Sequence, residues 1–243
     1  MEQSSEAGCL DTRDHVPMAR ASLQRIERAT SVTKALTAAS VVYAPQPLLP
    51  ATAEAFRRPC VIASNHRSLF DVVAAYWIFD DLGIPVRPVS AARLWDKPGL
   101  RQFLDYVGAI PVKPGREGLQ TIAAAADALH GGYTLLVTPE GRLVPEAERI
   151  DGVGRGHKIV SKIAAAAAVP IIAAGMTGTD DFWPIDHTLP RIRPRRVTIS
   201  VGFGPPREPI GSHRENVDLV MSDIRDILAT LEPECHGASR KSA

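Results

Sequence analysis

Short apolar segments that alternate with helical patterns constrain the fold of this chain more than any other feature. Apolar runs bounded by turn residues predict strands at 60–64, 86–90, 109–112, 134–138, 171–174 and 197–203. Three- and four-residue apolar spacing predicts helices at 70–79, 98–106, 117–130, 157–168 and 214–231. Strands that alternate with helices need crossover connections, so we predict an α/β fold with a mostly parallel central sheet covered by helices.

The first fifty residues precede this pattern and divide into three parts. Residues 1–16 are polar and lack periodicity, which predicts a loose tail. From Pro17 to Val42 apolar residues recur at helical spacing, which predicts an amphipathic helical arm, and the proline-rich stretch 45–50 predicts a linker. Residues 51–243 then form the main domain. The arm either packs on that domain or lies on an anionic membrane through its basic residues Arg20, Arg25, Arg28 and Lys34.

Composition narrows the class of function. Lys and Arg total 28 and Asp and Glu total 27, so a net charge of +1 argues against a nucleic-acid partner. The three cysteines are far apart without a CxxC pair, which argues against a disulfide framework or a zinc site. No apolar run reaches the roughly 18 residues of a spanning helix, and the amino terminus does not resemble a secretory signal. We therefore expect a cytoplasmic protein, peripheral on the inner face of the membrane.

A histidine and an aspartate follow the first predicted strand, in the segment Ser-Asn-His-Arg-Ser-Leu-Phe-Asp over residues 64–71. If Ser68 caps the next helix, Asp71 reaches back to one ring nitrogen of His66, and the other nitrogen faces the carboxyl edge of the sheet. A histidine held in this way can act as a general base for a hydroxyl. Ser-x-x-Asp is also an ordinary capping box, and spacing alone leaves both interpretations open.

Two further strand ends carry charged residues that would meet His66 at the same edge of a parallel sheet. Glu140 and Arg142 follow the strand 134–138, where they are able to grip a polar or phosphorylated substrate. Lys113 and Arg116 follow the strand 109–112 and would add positive charge there. The alternative at both places is an ordinary turn with solvated basic side chains.

These residues resemble a known family. Asn65-His66 followed by Asp71 resembles the NHxxxxD motif of the glycerolipid acyltransferases, which include the 1-acylglycerol-3-phosphate acyltransferases. Three more segments resemble the second, third and fourth blocks of that family, in the family's order: 108–112, Pro139-Glu140-Gly141 and 169–172. Four blocks in one order are far more specific than any single motif.

The resemblance implies a fold of the glycerol-3-phosphate acyltransferase type and a reaction. His66 would deprotonate an acceptor hydroxyl, which attacks the thioester of acyl-CoA or acyl-carrier-protein directly, and Asp71 would orient the ring. No covalent intermediate, metal or cofactor is expected, and the chain has no Gly-x-Ser-x-Gly elbow. The implied acceptor is a lysophosphatidate-like glycerolipid at a membrane surface. The residues expected to bind substrate are Asn65, Lys113, Arg116, Pro139, Glu140, Gly141 and Arg142.

Both phosphate-binding positions depart from the family pattern. Arg142 follows Gly141 directly, whereas the family has one residue between them, and Pro114 stands where the second block usually has an arginine. These departures leave two alternatives open. One is a related acyltransferase with a non-phosphorylated acceptor such as a glycan, an amine or a secondary metabolite. The other is a non-catalytic acyl-chain binding protein.

The glycine-rich segment 152–158 resembles a phosphate-binding loop and needs separate treatment. His157 occupies the place of the glycine that must precede the lysine, and the residues before the segment do not predict a strand. The sequence therefore predicts no nucleoside triphosphate site there.

Overall fold

A mostly parallel sheet forms the centre of the protein. The structure, a computed structural model, describes residues 17–113, 118–187, 189–191 and 196–236. Its strands are β1 (Val41–Pro45), β2 (Val61–Ser64), β3 (Val86–Ala91), β4 (Ile110–Val112), β5 (Thr134–Val137), β6 (Ile171–Thr177) and β7 (Val197–Arg207). These seven strands lie in the order β1-β7-β6-β2-β5-β3-β4, and only the β6–β7 pair is antiparallel. The predicted α/β class and mostly parallel sheet are confirmed.

Helices cover both faces of this sheet. The α-helices are α1 (Pro17–Thr37), α2 (Pro50–Ala55), α3 (Phe70–Asp81), α4 (Leu100–Tyr106), α5 (Gly118–His130), α6 (Ile159–Ala167), α7 (Thr179–Phe182) and α8 (His213–His236). The face with α3 holds the aromatic part of the core, in which the ring of Phe70 packs against those of Trp77 and Phe182. The other face packs small and branched residues of α5, α6 and α8 on the strands.

The central strands are apolar along their whole length because both of their faces are covered. Every residue of β2, β5 and β6 is buried. Since β2 lies between β5 and β6, the loops that follow these three strands meet at the middle of the carboxyl edge. This edge is where open parallel sheets bind their ligands.

The predicted helical arm is wrong beyond Thr37. Residues Val41–Pro45 form an edge strand that pairs in parallel with β7, in register from Val41 opposite Val197 to Pro45 opposite Val201. Adjacent β-branched valines and a tyrosine favour a strand, and Pro45 is tolerated because it ends a strand at the edge of the sheet. The extended linker is shorter than predicted because Pro50 begins α2. The predicted tail, 1–16, lies outside the described residues.

Helix α1 packs on α3 through polar groups. Thr33 Oγ1 accepts a hydrogen bond of 2.8 Å from Trp77 Nε1, and Lys34 Nζ lies 2.7 Å from Asp81 Oδ1. Val32 and Leu36, one helical turn apart, are 59% and 79% exposed. The apolar side chains described near the end of α1 therefore point away from the domain.

Candidate active site

His66 and Asp71 form a hydrogen-bonded pair at the carboxyl end of β2. The distance from His66 Nδ1 to Asp71 Oδ2 is 2.9 Å, and the side chains are 16% and 6% exposed. An ionised carboxylate only accepts hydrogen bonds, so this contact assigns the proton to Nδ1 and leaves the lone pair on Nε2. Within the described part of the chain, no residue hydrogen-bonds Nε2. The geometry suits a base that receives a proton from a hydroxyl at this edge.

Backbone groups of the same loop hold the Asp71 carboxylate. Asp71 Oδ2 accepts hydrogen bonds from the amides of Arg67 at 2.7 Å and Ser68 at 2.8 Å. Ser68 Oγ in turn accepts from the amide of Phe70 at 3.0 Å, where α3 begins. The capping box and the histidine contact therefore occur together, because one carboxylate oxygen serves both.

Glu140 fixes the backbone of His66. Its Oε2 accepts a hydrogen bond of 2.7 Å from the amide of His66, and its Oε1 accepts one of 2.7 Å from the amide of Gly154. Glu140 is only 3% exposed. Burial raises the pKa of Glu140, and the two backbone donors oppose that shift because they stabilise the charged form. Glu140 thus joins the third block to the His66 loop from below the solvent-exposed surface.

Asn65 anchors the loop on the opposite side, to strand β6. Its Nδ2 donates to the carbonyl of Met176 at 2.9 Å, and its Oδ1 accepts from the amide of Met176 at 2.8 Å. This pair of bonds extends the β2–β6 pairing by one step beyond Ser64. Asn65 is buried, so any effect that it has on a substrate acts through the position of His66.

The third block forms a tight turn beside the pair. The amide of Gly141 donates to the carbonyl of Thr138 at 3.0 Å, and Gly141 has φ +67°, a conformation that favours glycine. The carbonyl of Pro139 accepts from the amide of His157 at 2.8 Å. Pro139, Glu140 and Gly141 therefore lie at the same edge as His66, as the strand pattern predicts.

The basic candidates are less concentrated than the sequence suggests. Arg142 is exposed and forms an ion pair with Glu148. Lys113 follows β4, which β3 and β5 separate from β2, so about 14 Å of sheet lies between the two strands. Arg116 lies outside the described residues. A substrate phosphate close to His66 would meet the segment after β5 before it met Lys113.

A long segment between Arg142 and α6 folds over the loop, and the sequence patterns did not reveal its role. Arg67 donates to the carbonyl of Gly152 through Nε at 3.2 Å and Nη2 at 3.1 Å. Arg149 donates to the carbonyl of Val144 at 2.9 Å and lies 3.0 Å from Asp180 Oδ2. These contacts join the loops after β2, β5 and β6 into one unit.

The glycine-rich segment serves packing. A Cβ atom at Gly154 would lie 2.7 Å from Val144 Cγ2, and one at Gly156 would lie 2.7 Å from Val217 Cγ1. The amide of Gly154 is already bonded to Glu140. The glycines are thus explained by close approach of the chain to its neighbours.

Comparisons with known proteins agree with the motifs. A model of the acyltransferase family, described as Acyltransferase, matches residues 42–177, which is more than half of the chain. The chain belongs to the acyltransferase family. The match covers the strands and loops that hold His66, Asp71 and Glu140, and it begins in β1.

A solved structure extends the comparison to the fold. The crystal structure of the 1-acyl-sn-glycerophosphate (LPA) acyltransferase PlsC from Thermotoga maritima matches with a TM-score of 0.66 at 18% sequence identity. The match covers 96% of this chain and 87% of that chain. No curated protein matches this chain. Within the described residues, no helix has both the length and the apolarity needed to cross a bilayer.

Proposed function

We propose that this acyltransferase moves a fatty acyl group from acyl-CoA or acyl-carrier-protein to a hydroxyl of a lysophosphatidate-like glycerolipid. The observation that carries the proposal is the His66–Asp71 pair, with Nδ1 bonded to the carboxylate and no described partner on Nε2. The family and the likeness to a lysophosphatidate acyltransferase support the class of substrate.

In this reaction His66 Nε2 takes the proton of the acceptor hydroxyl as its oxygen attacks the thioester carbon. The carbon–sulfur bond then breaks, and the thiolate of the donor receives the proton from the imidazolium. Asp71 stabilises the imidazolium and keeps the ring in the tautomer that can accept a proton. A positioned base of this kind contributes roughly 100- to 10,000-fold in rate.

The acceptor phosphate needs a cation, and we propose two candidates after β5. Arg142 is available only when it leaves Glu148, with which it forms an ion pair at the surface. Arg155 is exposed, has no hydrogen-bond or ion-pair partner within the described part of the chain, and follows Gly154, which is bonded to Glu140. Arg155 is therefore the additional candidate that spacing of the motifs alone did not identify.

A membrane surface is the proposed source of this acceptor. Arg28, Val32 and Leu36 are exposed and recur at the spacing of one helix face, while Thr33 and Lys34 contact α3. An exposed apolar face with a basic residue at its end suits the headgroup region of an anionic bilayer. Lys34 contributes less than the sequence suggests, since Asp81 already balances its charge.

Exposed apolar residues near His66 support the same orientation. Leu69 follows Ser68, whose hydroxyl donates to the carbonyl of Trp183 at 2.6 Å, and Ile185 lies two residues beyond Trp183. Leu69 and Ile185 are both exposed large apolar side chains. They give the edge that holds His66 a surface able to contact acyl chains.

The test is a transfer assay with defined donors and acceptors. The protein is incubated with acyl-CoA or acyl-carrier-protein and with lysophosphatidate, other lysophospholipids or glycans, and the products are identified by mass spectrometry. We expect an acylated lysophosphatidate that does not form with His66→Ala. Transfer to a glycan alone, or to no acceptor, would contradict the proposal.

A related acyltransferase with a non-phosphorylated acceptor is the second candidate. The ion pair between Arg142 and Glu148 favours it, because that pair neutralises the arginine nearest to the family's phosphate-binding position. Comparison of lysophosphatidate with monoacylglycerol separates the two candidates. Equal use of both acceptors would favour the second one.

A further inference from the structure

Thr179 is a buried residue that no motif marks, and its hydroxyl contacts the candidate site. It is the first residue of α7, and it is 0% exposed. Its Oγ1 donates a hydrogen bond to Asp71 Oδ1. We infer that Thr179 is a positioning residue for the His66–Asp71 pair. The catalytic meaning of this inference rests on the proposed function, whereas its structural test does not.

The two oxygens of Asp71 have different surroundings. Oδ2 accepts from the amides of Arg67 and Ser68 and from His66 Nδ1. Oδ1 accepts from Thr179, and among the described residues no other hydrogen-bond donor reaches it. Loss of the hydroxyl would leave a buried carboxylate oxygen without a donor, which is unfavourable for the ionised form.

The backbone delivers this hydroxyl through a turn that requires glycine. Gly178 has φ +82°, and a Cβ atom there would lie 2.0 Å from the carbonyl oxygen of Thr198. Helix α7 then packs on the start of α3, where the rings of Phe182 and Phe70 are 4.6 Å apart between centroids. The position of Thr179 is therefore set by packing that does not involve its hydroxyl, and removal of the hydroxyl alone leaves this packing in place.

The hydroxyl moderates the attraction between Asp71 and the imidazolium. A hydrogen bond to Oδ1 spreads the negative charge of the carboxylate and makes Oδ2 a weaker partner for His66. Without this bond, Asp71 binds the imidazolium more strongly, and His66 gives up its proton at higher pH. The other charged groups packed around the loop are Glu140, Arg67 and Arg149, and no variant below changes them.

The test is an NMR titration of the His66 ring in the full-length protein without substrate. The variants are Thr179→Val, which keeps the shape and removes the donor, and Thr179→Ser, which restores the donor. His66→Ala assigns the signal. We expect the midpoint to move to higher pH by about half a unit in Thr179→Val and to stay near wild type in Thr179→Ser.

A midpoint that stays in place or moves to lower pH in Thr179→Val overturns the inference, and so does an equal shift in Thr179→Ser. Thr179→Ala gives the same readout if the valine variant does not fold. In the transfer assay, we expect Thr179→Val to lower kcat about tenfold with little change in the KM of the acceptor. If the wild type transfers no acyl group, the proposed function fails, but the titration still decides the role of Thr179.

Discussion

The loop that carries His66 and the helix α1 differ in what their polar and apolar groups face. In the loop, buried polar side chains of Asn65, Asp71 and Glu140 are bonded to backbone groups of neighbouring strands and loops. In α1 the polar groups of Thr33 and Lys34 face the domain, and large apolar side chains face the surroundings. Buried polar groups and exposed apolar groups are both unusual, and each indicates a function in place of simple core formation.

The comparison shows that rigidity and access are separated in this molecule. Hydrogen bonds from three directions fix the ring of His66, so substitutions there should lower the rate of the chemical step. Groups that face outwards, such as those of α1 and Arg155, should change how the substrate or membrane is bound. The following predictions test this separation.

The largest effect is expected from His66→Ala. Loss of the proposed base should lower acyl transfer by roughly 100- to 10,000-fold, while the thermal midpoint stays near that of the wild type. His130→Ala is a matched control, because His130 is an exposed histidine at the end of α5. Near-normal turnover of His66→Ala on the true acceptor would contradict the assignment.

A smaller loss should follow from Glu140→Gln. Both partners of the carboxylate are backbone amides, so the amide group of glutamine would place one N–H opposite another. We expect transfer to fall roughly 10- to 100-fold and the free energy of unfolding to fall by about 1–3 kcal/mol. Glu54→Gln, at an exposed position on α2, should leave both unchanged. Equal behaviour of the two variants would show that Glu140 does not hold the loop.

Gly154→Ala tests the packing of the segment that covers the loop. The added methyl group would meet Val144 Cγ2 at 2.7 Å, so the segment must shift at a cost of about 1–3 kcal/mol. Gly204→Ala is the control, because its Cβ atom would meet no atom closer than 3.5 Å. Denaturant unfolding measures both. If Gly154→Ala is as stable as Gly204→Ala, close packing is not the reason for that glycine.

Arg155→Ala should affect binding of the acceptor more than turnover. If the arginine holds the phosphate, its loss should raise the KM for lysophosphatidate about tenfold and leave the KM for monoacylglycerol unchanged. Arg142→Ala and Arg116→Ala are compared in the same assay, and Arg142→Ala should have the smaller effect because Glu148 already pairs with Arg142. Unchanged preference in all three variants would favour a non-phosphorylated acceptor.

The smallest effect on chemistry is expected from α1. The double variant Val32→Asp, Leu36→Asp should weaken flotation with anionic liposomes, while transfer to a detergent-dispersed acceptor stays within about twofold of the wild type. Leu119→Asp is the control, since Leu119 is an equally exposed apolar residue on α5. Flotation that is unchanged by the double variant would leave α1 as an element of the domain only.

The sequence predicts those parts of the site that depend on strand order and on local spacing. His66 and Asp71 are five residues apart across a strand-to-helix turn, and Glu140 follows a strand that pairs with β2. Such relations follow from the geometry of any parallel sheet. The sequence does not show that Glu140 binds the amides of His66 and Gly154, because backbone partners leave no trace in side-chain patterns.

Other differences have equally local causes. Strand β1 is five residues long and lies at the sheet edge, so its apolar residues also fit a continued helix. Thr179 carries no signal because its contact with Asp71 spans 108 residues and depends on the turn at Gly178. The ion pair of Arg142 depends on the path of a loop without regular spacing.

The pH dependence of acyl transfer tests the central claim most directly. If His66 takes the acceptor proton, kcat/KM should rise about tenfold per pH unit on the acid side and then level off, since only the neutral ring is a base. The midpoint should coincide with that of the His66 ring in the NMR titration of the free enzyme. A rate that does not change with pH across this midpoint would contradict the account.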